Sequence, residues 1–203
     1  MKRILTFFPV LIMGFLLSTC SLMPEMETPD YLAQMIDAAA SADLAAGREA
    51  EISRNRLIDQ SGSDESTIAF DELFLLSKFI YSQSGTYKDN ETFMLCTGEV
   101  VLNRLASREF PNTLADVIYQ EGAFEGVDND DFKHNTKPPK RCVKLALRLL
   151  MGERLLAPHV VHWSTKPETE IYATFCDRQQ NFVYFCESEY PRFYHLPNKD
   201  SVA

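Results

Sequence analysis

A chain of 203 residues can hold one domain with a real core plus appendages. Hydrophobic residues at 45% and charged residues at 24% give the composition of a globular protein. The net charge of −9, with no basic run to neutralise phosphates, excludes a nucleic-acid binder.

The first segment reads as a targeting signal. Lys2 and Arg3 precede Ile4 to Leu17, which is almost wholly apolar. That run is too short to span a bilayer comfortably and has the layout of a secretory signal. It ends in Leu17-Ser18-Thr19-Cys20, which resembles a lipoprotein processing box with Cys20 as the lipidated first residue of the mature chain. Ordinary signal cleavage and an uncleaved anchor are the alternatives, and all three export the rest of the chain. The expected location is the cell envelope, on a membrane through the N-terminal lipid, facing the periplasm or cell wall. Export gives the remaining Cys96, Cys142, Cys176 and Cys186 a meaning: an even number in an oxidising compartment predicts two disulfides, with three pairings open. No Cys-x-x-Cys pair and no His at ligand spacing from a cysteine supports a zinc site, so neither metal nor cofactor is expected.

Residues 1–20 are therefore the signal, 21–65 a helical arm and linker, and 66–203 the main domain. Glu25 to Ser61 is rich in Ala, Glu, Asp, Arg and Leu, with Asp30 as a plausible cap, and reads as a stalk. The polar stretch Gln60 to Ser66 is the linker and the domain boundary. Apolar residues at Leu73, Leu75, Leu76, Phe79 and Ile80 form a helical stripe over Asp71 to Ser82. A second helix spans Glu91 to Ser107, and Pro111-Asn112-Thr113 caps a short one ending near Tyr119. An acidic loop from Gly122 to Pro139 carries Phe124 and Phe132. Lys140 to Gly152 is the third main helix. His159 to Ser164 reads as a strand, and Ile171 to Phe175 with Phe182 to Phe185 as a small hairpin around residues 177–181. Helices first and short strands late predict an α+β domain with a helical body and a small antiparallel sheet.

Several pieces of this chain fall in a known order. Leu75 to Ser82 has the form Leu-Leu-x-x-x-Ile-Tyr-Ser. Gly98-Glu99-Val100-Val101-Leu102-Asn103-Arg104 follows, then Phe110-Pro111-Asn112-Thr113, Val117-Ile118-Tyr119-Gln120 and Gly122-Ala123-Phe124. Late in the chain come His162-Trp163 and Val183-Tyr184-Phe185. Together, from about Glu72 to Phe185, they resemble the SleB-like cell-wall hydrolase domain of spore-cortex-lytic enzymes. The resemblance implies a lysozyme-like fold acting on peptidoglycan glycan strands, by lytic transglycosylase or muramidase chemistry. It also implies a general-acid Glu in the pattern Tyr-small-Glu-Ala at the end of the first helix. Here the pattern is Tyr81-Ser82-Gln83-Ser84, with Gln83 at the Glu position.

Glycosidic cleavage needs a proton delivered to the leaving oxygen, and an amide has none to give in the useful range. Losing a general acid costs on the order of 10²–10⁴ in rate. Gln83 therefore predicts a site that binds sugar but cleaves it slowly or not at all, and enzyme activity is left open. Glu99, which interrupts an apolar helical stripe, is the first candidate for a substitute acid, ahead of Glu91, Glu121 and Glu125. Its alternative is an edge position or a pair with Arg141 or Arg148. Tyr81, Asn103, Phe124, His162 and Trp163 are the candidate glycan contacts. Asn103 can instead brace helices, Phe124 anchor its loop, and Trp163 fill the core. A non-catalytic glycan-binding lipoprotein and an envelope scaffold are the two competing functions.

Overall fold

The computed structural model describes residues 30–165, 172–179, 182–187 and 194–195. The signal and Cys20 lie outside them. No helix among the described residues is long and apolar enough to cross a membrane.

The arm is not one helix standing apart. Helix α1 (Tyr31–Ser41) ends where Ala42 takes φ 60°, and Asp43 then starts α2 (Leu44–Ser61) by accepting the Ala46 N–H at 3.0 Å. The two helices fold back on each other, and Met35, Ala38, Ala39 and Ala50 join the same core as the rest of the chain. From Tyr31 onward the chain is one compact unit. The physical reason is visible at the joint. Gly47 lies so close to the Phe70 ring that an added Cβ would fall 2.0 Å from Cζ. Glu51 Oε2 accepts the Phe70 N–H at 2.9 Å, which supplies the cap that Ala69 lacks. Buried Arg54 donates to Ser66 O and to Glu65, and Arg48 pairs with Asp71. The stretch expected as a domain boundary is thus a connection inside one body.

Helix α3 (Phe70–Ser84) buries Leu73, Leu76, Phe79 and Ile80, as its stripe predicts. Helix α4 (Glu91–Ala106) starts at Asn90, whose Oδ1 accepts the Phe93 N–H at 2.9 Å, and is buried over nearly its whole length. Thr113 caps the short α5 (Leu114–Ile118). A π-helical turn at Asp131–Asn135 interrupts the acidic loop, and α6 (Lys140–Leu150) completes the body. Gly98 lets α4 approach α3 and α6: a Cβ there would lie 2.6 Å from Leu149 Cδ1 and 2.9 Å from Ile80 Cδ1.

The sheet is antiparallel in the order β1 (His162–Thr165), β2 (Tyr172–Cys176), β3 (Phe182–Glu187), β4 (Tyr194–His195). The β2–β3 hairpin was expected; β4, two residues long, is too short to leave a pattern. Trp163 pairs in register with Phe175, and both rings pack on Phe93 of α4. The result is the α+β layout read from the sequence.

The two-disulfide expectation is not met. Two bridges need all four cysteines, and Cys142 and Cys176 are unbridged, buried thiols. Burial pushes the Cys142 thiol up to about 11 and raises that of Cys176. Both behave as small apolar residues and are poor nucleophiles.

Candidate functional site

The last turn of α3 brings Gln83 to the acidic loop. Its Nε2 donates to the backbone oxygen of Glu125 at 2.9 Å. Earlier on α3, buried Lys78 donates to Lys133 O at 3.2 Å, with its ammonium over the Phe132 and Phe74 rings. Two side chains of one helix therefore hold two carbonyls of one loop. Burial lowers the Lys78 pKa. The loop's aromatic residues complete the contact: Phe132 is buried against Tyr119, and Phe124 meets Phe79 edge-on at 4.7 Å between ring centroids.

Phe124 leads directly to a buried cation. The Arg104 guanidinium lies 4.4 Å from the Phe124 ring centre and 5.2 Å from that of Phe110, with 4% of the residue exposed. Its Nε donates to Val161 O at 2.7 Å, and its Nη2 lies 3.0 Å from His162 Nδ1. Burial lowers its pKa to about 10, which leaves it a cation near neutrality. Taking such an ion out of water costs several kcal/mol, on the order that about 1.5–3 kcal/mol per charged hydrogen bond and about 2 kcal/mol per desolvated ring contact offset. His162 is half-buried, and desolvation, followed by the charges of Arg104 and Arg178, lowers its pKa against the opposing pull of Asp177. Gln83, the Glu125 carbonyl, Phe124, Arg104 and His162 thus form one continuous chain of contacts.

The other predicted residues sit elsewhere. Glu99 has no exposed surface. Its Oε2 accepts the N–H groups of Leu155 and Leu156 at 2.7 and 3.0 Å, while Oε1 is buried without a hydrogen-bond partner. Burial raises its pKa, against the pull of those two amides and of Arg154. The raised pKa was expected; access was too, and it is missing, so Glu99 is an anchor for the segment after α6 and not an acid facing a cleft. Neither Arg141 nor Arg148 pairs with it. Arg148 grips Glu153 and Glu91, and Arg141 donates to Lys88 O and Asp89 O. Asn103 donates to Ala157 O and Val160 O at 3.0 and 2.9 Å, so it braces the approach to β1. Trp163 is half-buried and packs edge-on against Phe93 of the core at 5.5 Å between ring centroids. Tyr81 is 43% exposed and does not join the Gln83 chain.

A groove of about 520 Å³ opens beside this chain, lined by Glu109, Phe110, His159, Val161, Asp177 and Arg178 among others. Arg178 and Glu109 pair across it. Phe110 and Val161 therefore serve both the groove and Arg104. No cluster of His, Cys, Asp or Glu suited to a metal occurs among the described residues.

Sequence reasoning passed over Arg104 and the backbone of Glu125. The signal for Arg104 was present: a permanent cation inside Val100 to Leu105, a run that is otherwise apolar but for Asn103. A carbonyl partner leaves no trace in residue types.

The family model described as Cell Wall Hydrolase matches residues 88–194, a little over half of the chain. The match contains α4, Arg104, Phe124 and His162, and begins past Gln83. No curated protein and no solved structure matches the chain.

Proposed function

The chain belongs to the cell wall hydrolase family, and from that premise we propose that it engages peptidoglycan glycan strands at the end of α3 and holds them without efficient cleavage. The observation that carries this reading is the Gln83 amide. It occupies the position that the family resemblance gives to the general acid, and it spends an N–H on Glu125 O. The substitute acid considered from the sequence, Glu99, has no surface to offer a substrate. An amide keeps the shape and hydrogen-bonding power of the acid and lacks its proton. A lysozyme-like fold, and an exported, envelope-bound location through a lipid on Cys20, belong to the same proposal.

Restoring the acid tests it. A carboxyl at position 83 would face the Glu125 carbonyl and can donate to it only when protonated, which favours the neutral form and raises its pKa toward a working range. The full chain and its Gln83→Glu variant are incubated with purified peptidoglycan; bound protein is measured by sedimentation and released muropeptides by chromatography. Native binding without release, with release gained on the order of 10²–10⁴-fold in the variant, is the expected result. Release by the native chain would show a working acid elsewhere and overturn the holding role. Absence of binding by both folded proteins would overturn the glycan assignment.

A further inference from the structure

We infer that Arg104 is a positioning residue that fixes His162 as a neutral imidazole with its proton on Nε2, presenting one N–H donor to an uncharged oxygen ligand such as a sugar hydroxyl or N-acetyl carbonyl. A guanidinium has donors and no acceptor. With Nη2 at 3.0 Å, Nδ1 must supply the lone pair, and the single ring proton of the neutral form then sits on Nε2. Protonating the ring would set N–H against N–H and place a second cation beside the first. Among the groups that act on the ring, Arg104 from α4 and Arg178 from the β2–β3 turn disfavour that charge, and Asp177 alone favours it.

The guanidinium cannot turn away to relieve this. Val161 O holds its Nε, and the Phe110 and Phe124 rings hold its plane. Val161 is also the residue before His162, so one side chain fixes both the backbone and the ring. A lysine in this place would bring a point charge on a flexible stem, without the fork that reaches both acceptors. No described residue is bonded to Nε2. The ligand class rests on the proposed glycan reading; the tautomer does not.

The full chain is labelled with ¹⁵N at histidine, and His162→Gln identifies the His162 signals among the four histidines. The native spectrum near neutrality is expected to show a bare Nδ1 and a protonated Nε2, with a titration midpoint below that of an ordinary histidine. In Arg104→Lys and Arg104→Gln the tautomers mix. In Arg104→Gln, where the neighbouring charge is gone, the midpoint also rises. Peptidoglycan binding by sedimentation falls about tenfold in both, the loss of one aligned hydrogen bond. An Nδ1–H tautomer in the native chain overturns the inference, and that measurement stands even where neither variant folds. Unmoved tautomer and midpoint in folded variants overturn it as well. A native chain with the expected tautomer and no affinity for peptidoglycan leaves the positioning role in place and removes the glycan reading.

Discussion

An amide keeps its N–H donors at every pH and a carboxyl loses its only donor on ionising, and at two positions of this chain that difference decides a role. Gln83 can donate to the Glu125 carbonyl at any pH; a carboxylate there would be repelled by it. Glu99 does the reverse, accepting two backbone N–H groups where nothing else satisfies them. The folded-state pKa of Glu99 is raised above its unfolded value near 4.5. The associated stability is fully present below about 4.5 and is lost as pH rises through the folded value. The melting temperature of the native chain should therefore carry a component that declines with rising pH just above that range. Glu99→Gln should flatten it while keeping the acceptor for Leu155 and Leu156. Glu99→Leu should leave both N–H groups buried and unpaired, at about 1–3 kcal/mol each. Denaturant melts across pH decide; a Glu99→Leu protein as stable as the native one would remove the anchoring role.

At the scale of elements, α4 organises the molecule. Its N-terminal half packs Phe93 against the sheet, Gly98 admits α3 and α6, Glu99 ties down the segment after α6, and Asn103 with Arg104 clamps the approach to β1. The helix reads as apolar because most of its neighbours are apolar; of its four buried polar side chains, Thr97 bonds back to Phe93 O and the other three, Glu99, Asn103 and Arg104, reach across to backbone of other segments. A second junction gives a sharp test. Gly47→Ala would ordinarily strengthen a helix by about 1 kcal/mol. Here the new Cβ would lie 2.0 Å from the Phe70 ring, which is fully buried and has no room to swing. Overpacking costs about 1–3 kcal/mol, so the clash should win and the thermal midpoint should fall. A rise would mean that α2 is free to shift away from α3.

For the whole molecule, the hairpin of α1 and α2 is part of the core and not a spacer. A chain beginning at Ser66 would uncover Phe70 and strip the carboxylate cap from α3. Such a truncation should lose the cooperative thermal transition seen by circular dichroism, or aggregate. A sharp, unshifted transition would restore the stalk. The buried thiols of Cys142 and Cys176 lead to a different expectation from that of disulfides: neither should contribute a reductant-sensitive component to the thermal transition.

Local pattern carried the sequence a long way. Helix stripes, the Thr113 cap and the β2–β3 hairpin are set by neighbours within a few residues, and they stand in the structure close to where the pattern puts them. The α+β class and the family follow from the order of those pieces. What sequence could not supply was partnership between distant residues. Whether a carboxylate such as Glu99 meets substrate or backbone depends on which segment folds over it, and that segment is far away along the chain. The same holds for the arm, whose helical propensity says nothing of whether Gly47 will find Phe70. It holds most of all for Gln83 and Arg104, whose functions rest on carbonyl oxygens that every residue carries alike, and which only the tertiary fold selects.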